Sequence, residues 1–154
     1  NMKKILLNIF ILLILTNCGF SPIYKEKNSL NYNINILKVD GDPEINQFIL
    51  NKIKKYSGES YTKKYDININ SEFSKMSLAK DNTGRTSDFK LSSKITISVN
   101  YEDKNQKYVF NESINIKNDT DSFEQRNYEK TIKENFAFSA VNKLIIKISS
   151  LKWS

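Results

Sequence analysis

The residue types that most often carry out catalysis are sparse in this sequence. The chain has 154 residues and no histidine, so the commonest general base and the commonest metal ligand are both missing. A single cysteine excludes an internal disulfide and any metal site built from several cysteines. Serines and threonines are plentiful, but a nucleophile needs a positioned base. We therefore predict a protein that is not an enzyme, with no catalytic residues, no metal and no cofactor.

Paired carboxylates are the remaining route to catalysis. A glycan or lipid hydrolase built on two acids needs Asp or Glu side chains that converge in a cleft. Asp119 and Asp121 stand in a polar stretch, which predicts a solvated loop or a helix cap. No Asp-x-Asp-x-Asp-Gly segment is present to form a calcium-binding loop. A hydrolase is therefore an alternative that requires a concave pocket with paired buried carboxylates.

The single cysteine has the clearest chemistry of its own. Cys18 follows a largely apolar run of 11 residues, Ile5–Leu15, which begins directly after Lys3 and Lys4. This run is too short to span a bilayer, which takes about 20 residues, but it suits the hydrophobic segment of a signal peptide. Residues 15–18 read Leu-Thr-Asn-Cys and resemble the bacterial lipobox, with Asn17 replacing the usual small residue. The alternative is a core cysteine after an ordinary signal peptide.

The lipobox interpretation divides the chain into three parts. We predict a signal peptide over residues 1–17, a lipidated tether over 18–30 and a single domain over 31–154. The thiol of Cys18 would carry a diacylglycerol and its new amine a further acyl chain, which together anchor a protein almost permanently. Gly19 rather than an aspartate follows the cysteine. By resemblance to sorted lipoproteins, this predicts the outer membrane as the destination.

The hydrophobic pattern predicts the elements that must position any site. Alternating apolar residues predict strands over residues 32–39, 65–73, 89–101 and 108–116. Helical periodicity predicts one helix that begins with Asp42 as its cap and ends near Gly58, and a second that begins near Phe123. In the last strand, we expect a change of register near Asn111.

The order of these elements, β-α-β-β-β-α, predicts an α+β fold in two layers. The crossover through the first helix makes the first two strands parallel, and the remaining strands form an antiparallel meander. Each helix has one apolar stripe, so both are expected on one face of a four-stranded mixed sheet. The other face of the sheet must meet water or a partner.

Four basic residues near predicted loops are candidates for binding phosphate groups. Lys80 and Arg85 flank the turn between the second and third strands, and Arg126 and Lys130 lie near the start of the last helix. Arginine occurs only at positions 85 and 126, and its planar fork matches phosphate oxygens as lysine does not. Outside the cell, anionic lipid head groups are the expected ligands and nucleic acid is not. Ordinary surface charge remains the alternative.

Short motifs resemble a known family. Residues 18–24 read Cys-Gly-Phe-Ser-Pro-Ile-Tyr, similar to the Cys-Gly-Phe-Arg-Pro-Leu-Tyr opening of the alphaproteobacterial LPS-assembly lipoprotein family, LptE. Ser21 stands where that family usually has a basic residue. Further matches follow in order at Gly41-Asp42-Pro43, Thr83-Gly84-Arg85-Thr86, Phe89-Lys90-Leu91 and from Ile132-Lys133-Glu134 to Leu144. Their order and spacing over residues 18–152 carry the resemblance.

This resemblance implies a fold and a function. The family has the β-α-β-β-β-α sandwich, is not enzymatic, plugs and partners the β-barrel LptD, and binds lipopolysaccharide. Its basic contacts with lipopolysaccharide match Arg85, with Lys80 nearby, and approximately Arg126 or Lys130. The domain would then lie on the periplasmic side of the outer membrane or in the barrel lumen. The alternative is an auxiliary lipoprotein of an envelope lipid-transport system, or a stand-alone lipid-binding module.

Overall fold

The predicted order of elements is confirmed. The computed structural model describes residues 32–56 and 63–150, so Cys18, the tether and Gly58 lie outside the described residues. The elements are β1 (Tyr32–Gly41), α1 (Pro43–Ile53), β2 (Lys63–Lys80), β3 (Thr86–Tyr101), β4 (Lys104–Lys117) and α2 (Ser122–Ser150). A 3-10 turn, Lys54–Tyr56, follows α1. The chain therefore folds as the α+β sandwich that its hydrophobic pattern predicts.

The four strands form one mixed sheet in the order β1-β2-β3-β4. β1 and β2 are parallel because α1 connects them as a crossover, and the other neighbours are antiparallel hairpins. β2 and β3 are longer than the apolar alternation predicts. Their added residues are mostly exposed, so backbone pairing rather than burial extends the hairpin toward its turn.

The core lies between one face of the sheet and the two helices. In the sheet, buried residues alternate with more exposed ones along the strands, as at Tyr65, Ile67 and Ile69 of β2. From the helices, the buried residues are Ile45, Ile49 and Ile53 of α1 and Ala137, Ala140, Val141, Leu144 and Ile148 of α2. A second cluster, Leu91, Ile116, Ile132 and Phe136, lies under the first half of α2. Each such aliphatic side chain contributes about 1.5–3 kcal/mol when fully buried.

The expected change of register near Asn111 is wrong. β3 and β4 pair without a shift from Asp88↔Lys117 to Tyr101↔Lys104. The inward position that lacks an apolar residue holds Glu112, whose Oε1 accepts hydrogen bonds from Ser139 and Lys143 of α2, each at 2.5 Å. A polar residue can therefore occupy the inward face of this strand, because α2 supplies donors for its carboxylate.

The corner between β1 and α1 brings two backbones unusually close. Gly41 has φ +102°, and a Cβ built on it would lie 1.8 Å from the carbonyl oxygen of Ser71 on β2. The next residue, Asp42, donates its N–H to that same carbonyl at 3.0 Å. As predicted, Asp42 caps α1, since its Oδ1 accepts the N–H groups of Glu44 and Ile45 at 3.1 and 2.9 Å.

A lysine of α2 is tied to this corner. Lys133 Nζ lies 2.8 Å from Asp42 Oδ2 and 2.8 Å from Glu44 Oε2, and 4.4 Å from the ring centre of Phe73. The side chains of Lys133 and Asp42 are only 13% and 16% exposed. Burial opposes the charged forms of both groups, yet their mutual hydrogen bond helps to raise the pKa of Lys133 and lower the pKa of Asp42. This ion pair joins the two helices at the start of α1.

Gly41→Ala should destabilise the domain far more than Gly84→Ala. Both glycines have positive φ, at +102° and +82°, but only Gly41 faces a backbone atom, whereas nothing lies within 4 Å of a Cβ at Gly84. We expect a loss of about 3 kcal/mol or more at Gly41 and about 1 kcal/mol at Gly84, measured by denaturant unfolding. Equal losses would contradict the close approach.

Lys133→Met should lower stability by about 1–2 kcal/mol at neutral pH, since it leaves two carboxylates without their cation in a partly screened site. The raised pKa of Lys133 adds stability that is lost as pH rises through the folded value, and the lowered pKa of Asp42 adds stability that is lost as pH falls through its folded value. In the variant, the free energy of unfolding should therefore fall less steeply with pH, both at high pH and at low pH. The exposed Lys147→Met is the control, and the same pH profile in both variants would refute the linkage.

Candidate functional site

The turn between β2 and β3 holds the first pair of predicted site residues. Asp81 organises this turn, because its Oδ1 accepts the N–H of Thr83 at 2.8 Å and the N–H of Arg85 at 2.9 Å. Gly84 supplies the positive φ, and its N–H donates to the Asp81 carbonyl at 2.9 Å. Lys80 ends β2 directly before the turn. The turn therefore has a defined conformation, although it lies outside the core.

Arg85 is exposed but held at its base. Its Nε donates to Thr83 Oγ1 at 3.0 Å and lies 3.6 Å from Asp81 Oδ2, while the side chain as a whole is 80% exposed. The hydrogen bond from the Thr83 hydroxyl and the backbone N–H of Arg85 lower the pKa of Asp81. The carboxylate is thus charged at neutral pH, and Arg85 presents the rest of its guanidinium to solvent.

The β2–β3 turn lies beside the loop between β4 and α2. The N–H and Nδ2 of Asn118 donate to the carbonyls of Ser87 and Thr86, both at 2.8 Å, and fix the loop to the start of β3. A cleft of about 460 Å³ lies between the two segments. Its lining consists of Asp81, Arg85, Thr86, Ser87, Lys117, Asn118, Asp119 and Thr120. The cleft joins two cations, two carboxylates and several neutral hydrogen-bonding groups.

The start of α2 is not an anion site. Asp121 Oδ1 accepts the N–H groups of Phe123 and Glu124 at 2.7 and 3.3 Å, which satisfies donors that a phosphate would otherwise use. Asp119 Oδ1 in turn accepts the N–H of Asp121 at 2.8 Å. Asp121 is therefore a helix cap and Asp119 a loop residue, and both carboxylates accept hydrogen bonds from backbone N–H groups.

A buried glutamine couples this loop to the hairpin. Gln125 is 7% exposed; its Oε1 accepts the N–H of Asp119 at 2.8 Å and its Nε2 donates to Glu129 Oε1 at 2.6 Å. The same Glu129 oxygen lies 2.5 Å from Lys75 Nζ, which sits 4.0 Å from the ring centre of Phe89. Burial opposes the charge on Glu129, but the bonds from Gln125 and Lys75 lower its pKa. The first turns of α2 are thereby held against β2 and β3.

The structure brings only part of the predicted set together. Arg85 lines the cleft, whereas Lys80 lies at the end of β2 and Arg126 and Lys130 lie on exposed positions of α2. Within residues 32–56 and 63–150, Lys80, Arg126 and Lys130 make no ion pair, so their charges face solvent. Lys117 lines the cleft with Arg85, but the sequence analysis did not include it among the candidates. Its position at the end of the last strand, directly before a polar loop, was the signal that could have identified it.

A second cleft, of about 690 Å³, lies on the other side of the same loop. Ile116 and Tyr128 form its apolar part, and Lys117, Asp119 and Glu124 are among its polar lining. Tyr128 is 50% exposed, so this cleft offers an apolar surface next to the charged one. The loop over residues 118–120 borders both clefts.

The uncovered face of the sheet is mostly neutral and polar. Ser74, Ser92 and Ser113 stand opposite one another on β2, β3 and β4 and line a shallow depression of about 410 Å³. Neighbouring positions on this face are mainly amides and hydroxyls, including Asn68, Asn70, Thr96, Ser98, Asn100 and Asn111. The same face also carries charged residues, among them the Glu72–Lys94 ion pair, and the exposed apolar side chains of Met76 and Val109.

Two further properties concern only the described ranges. Across residues 32–56 and 63–150, no three side chains of His, Cys, Asp or Glu gather where they could hold a metal ion. Across the same ranges, no helix combines the length and apolar character needed to cross a bilayer.

Comparisons with known proteins identify the fold. No family model matches the sequence, and no curated protein matches it. Solved structures do match: rare lipoprotein B from Shewanella oneidensis has a TM-score of 0.56 at 10% identity, with coverage of 75% of this chain and 95% of that one. A candidate lipoprotein from Caulobacter crescentus CB15 has a TM-score of 0.52 at 12% identity, with coverage of 76% and 88%.

Lipoprotein B from Nitrosomonas europaea is similar as well, with a TM-score of 0.51 at 12% identity and coverage of 82% of this chain and 90% of that one. At these identities the likeness shows the fold alone. This chain therefore has the fold of solved bacterial lipoproteins, over nearly the full length of each of them.

Proposed function

We propose that this protein is a lipid-anchored subunit of the machinery that assembles lipopolysaccharide at the outer membrane. In this proposal, Cys18 carries the lipid anchor, and the domain partners and plugs the LptD β-barrel and binds lipopolysaccharide without catalysing a reaction. The observation that carries the proposal is the shared fold of three bacterial lipoproteins on a chain whose single cysteine stands in a lipobox-like segment.

The family assignment draws on two independent lines. The motifs from Cys18-Gly19-Phe20 to the last helix resemble the LptE family in order and spacing. Rare lipoprotein B, one of the solved structures with this fold, belongs to that family. Neither line alone specifies the partner, but both favour the same family.

The proposed ligand is supported by the chemistry of the turn. Arg85 is held at Nε by Thr83 and leaves its two terminal nitrogens free of protein contacts in the described structure. A guanidinium that is fixed at its base and open at its end suits the phosphate oxygens of lipopolysaccharide. Lys117 and the hydroxyls of Thr86 and Ser87 lie around the same cleft. The second cleft lies next to it and is mostly polar; its exposed Tyr128 is the side chain that would contact an acyl chain in this proposal.

The proposed partner is supported by the uncovered face of the sheet. The inner wall of an outer-membrane barrel is polar, whereas its outer wall is apolar. Asparagine, serine and threonine side chains occupy about half of the free-face positions of β2 and β3, and most of the others are charged, so this face can hydrogen-bond to such a wall or to the water in it. An apolar face would instead favour a membrane or a hydrophobic subunit.

A tagged full-length chain, extracted from outer membranes in mild detergent, should bring down an outer-membrane β-barrel in equal amount. We expect this because a plug is enclosed by its barrel and therefore dissociates from it slowly. Mass spectrometry of the eluate identifies the partner. Components of an envelope lipid transporter in place of a barrel would favour the alternative lipoprotein function, and a chain that elutes alone would favour a stand-alone lipid-binding module.

Replacing Lys80 and Arg85 by glutamine should weaken lipopolysaccharide binding by about tenfold at low salt, since each loses charge-assisted contacts with phosphate. The control is Lys38→Gln with Lys94→Gln, which removes the same charge from exposed positions of the sheet. Binding of labelled lipopolysaccharide to the purified chain, measured at several ionic strengths, separates the two variants. Equal affinities would show that Lys80 and Arg85 are bystanders.

A further inference from the structure

The fold gathers one end of every strand and the exit of α1 at the point where the chain enters the domain. β1 begins at Tyr32, which pairs with Lys63 at the start of β2. β3 ends and β4 begins at the same end of the sheet, where Tyr101 pairs with Lys104. α1 runs back from Gly41 to this end and finishes in the 3-10 turn. We call this part of the molecule the tether end, and the opposite part, at the β2–β3 turn, the turn end.

Lysines from three separate stretches lie at the tether end. The set consists of Lys54, Lys55, Lys63, Lys64, Lys104 and Lys107, all of them exposed, and we refer to it as the tether-end lysines. The described segments 54–56, 63–66 and 100–107, which contain these six lysines, contain only three acids, Asp66, Glu102 and Asp103. The turn end differs: its segments 74–90 and 117–130 contain seven basic residues and six acids. The larger excess of positive charge therefore lies at the tether end.

Little protein charge compensates the tether-end lysines. Lys64 Nζ lies 3.9 Å from Asp66 Oδ1, a long contact between exposed side chains that is worth little in water. Lys54, Lys55, Lys63 and Lys107 have no ion-pair partner within the described ranges. These four exposed ammonium groups at one end of the domain are therefore open to an anionic surface.

The position of the entry point gives these charges a specific neighbour. Thirteen residues, 19–31, separate Cys18 from Tyr32, and such a length of chain spans at most about 45 Å. Among the described parts of the domain, the tether end is therefore joined to a lipid on Cys18 by the shortest length of chain. Because the strands run away from this end, the turn end is the most distant part.

We propose that the tether-end lysines form a surface that binds the anionic head groups of the bilayer in which the lipid anchor sits. The inference rests on the proposed function only for the anchor at Cys18. Lysine, a compact and strongly hydrated cation on a flexible stem, suits the diffuse charge of a lipid surface better than a shaped ligand. Each lysine near an anionic membrane strengthens binding by about fivefold, and the attraction decays within a Debye length.

Such a surface would orient the domain on its anchor. A lipid on a tether alone leaves the domain free to rotate, whereas a second, electrostatic contact at the tether end holds the long axis of the sheet away from the head groups. The turn with Arg85 then points away from that leaflet, in a fixed direction for its ligand.

Amine labelling of the full-length lipidated protein tests this surface. The protein is placed in vesicles of phosphatidylcholine alone or of phosphatidylcholine mixed with phosphatidylglycerol, and the acylation rate of each lysine is measured by peptide mass spectrometry. We expect the acylation rates of the tether-end lysines to fall by about fivefold or more in the anionic vesicles. The rates of Lys90, Lys117 and Lys130 should be the same in both kinds of vesicle. In about 1 M salt, where the Debye length is about 3 Å, the protection should disappear. If the anionic vesicles changed the acylation rates equally at both ends of the molecule, the proposal would be overturned.

Two charge-matched variants sharpen the test. Replacing Lys54, Lys55, Lys63 and Lys64 by glutamine should abolish the protection of the two remaining tether-end lysines, Lys104 and Lys107. Replacing Lys38, Lys90, Lys94 and Lys117 removes the same charge elsewhere and should leave that protection intact. Protection lost equally in both variants would point to net charge alone and overturn the proposal.

The mass of the Cys18 peptide separates this inference from the proposed function. A lipidated Cys18 without lysine protection overturns the inference and leaves the anchor in place. An unmodified Cys18 contradicts the anchor, and flotation of the full chain with the same two kinds of vesicle then tests the lysines directly. Preference for the anionic vesicles that the four-lysine variant loses would support the surface, and equal flotation would overturn it.

Discussion

The close approach of Gly41 to Ser71 constrains more of this fold than any other contact. It brings the end of β1 against β2 with no room for a side chain, and the next residue, Asp42, both bonds to Ser71 and caps α1. Lys133 then joins α2 to the same aspartate. One corner therefore determines the crossover that makes β1 and β2 parallel and the placement of both helices on one face.

The second half of the molecule depends on a different set of contacts. Beyond the corner, Lys75, Glu129 and Gln125 connect the hairpin, α2 and the β4–α2 loop, so the turn with Arg85 and the loop with Lys117 stay side by side. These polar contacts lie over the small cluster that contains Leu91 and Phe136. The candidate site is thus supported by charge-assisted hydrogen bonds at the edge of the core, where solvent only partly screens them.

Sequence reasoning succeeded where the signal is local. The Asp42-Pro43 start of α1, the strand order and the two apolar stripes follow from cap chemistry and periodicity, and the structure confirms them. It failed in β4, where we expected a change of register near Asn111 but the pairing with β3 runs without a shift. Glu112 can occupy an inward position there because Ser139 and Lys143 donate hydrogen bonds to its carboxylate; both donors are about 30 residues away in the chain, so no local pattern contains them.

The sequence by itself determined the kinds of element, their order and the absence of histidine chemistry, because these depend on residue types and short-range spacing. Only the tertiary structure decided where the charge lies. Chain reversal and strand register gather lysines from distant stretches at the tether end and bring nearly equal numbers of acids and bases to the turn end. Which charges become neighbours depends on long-range pairing, and net charge alone carries no information about it.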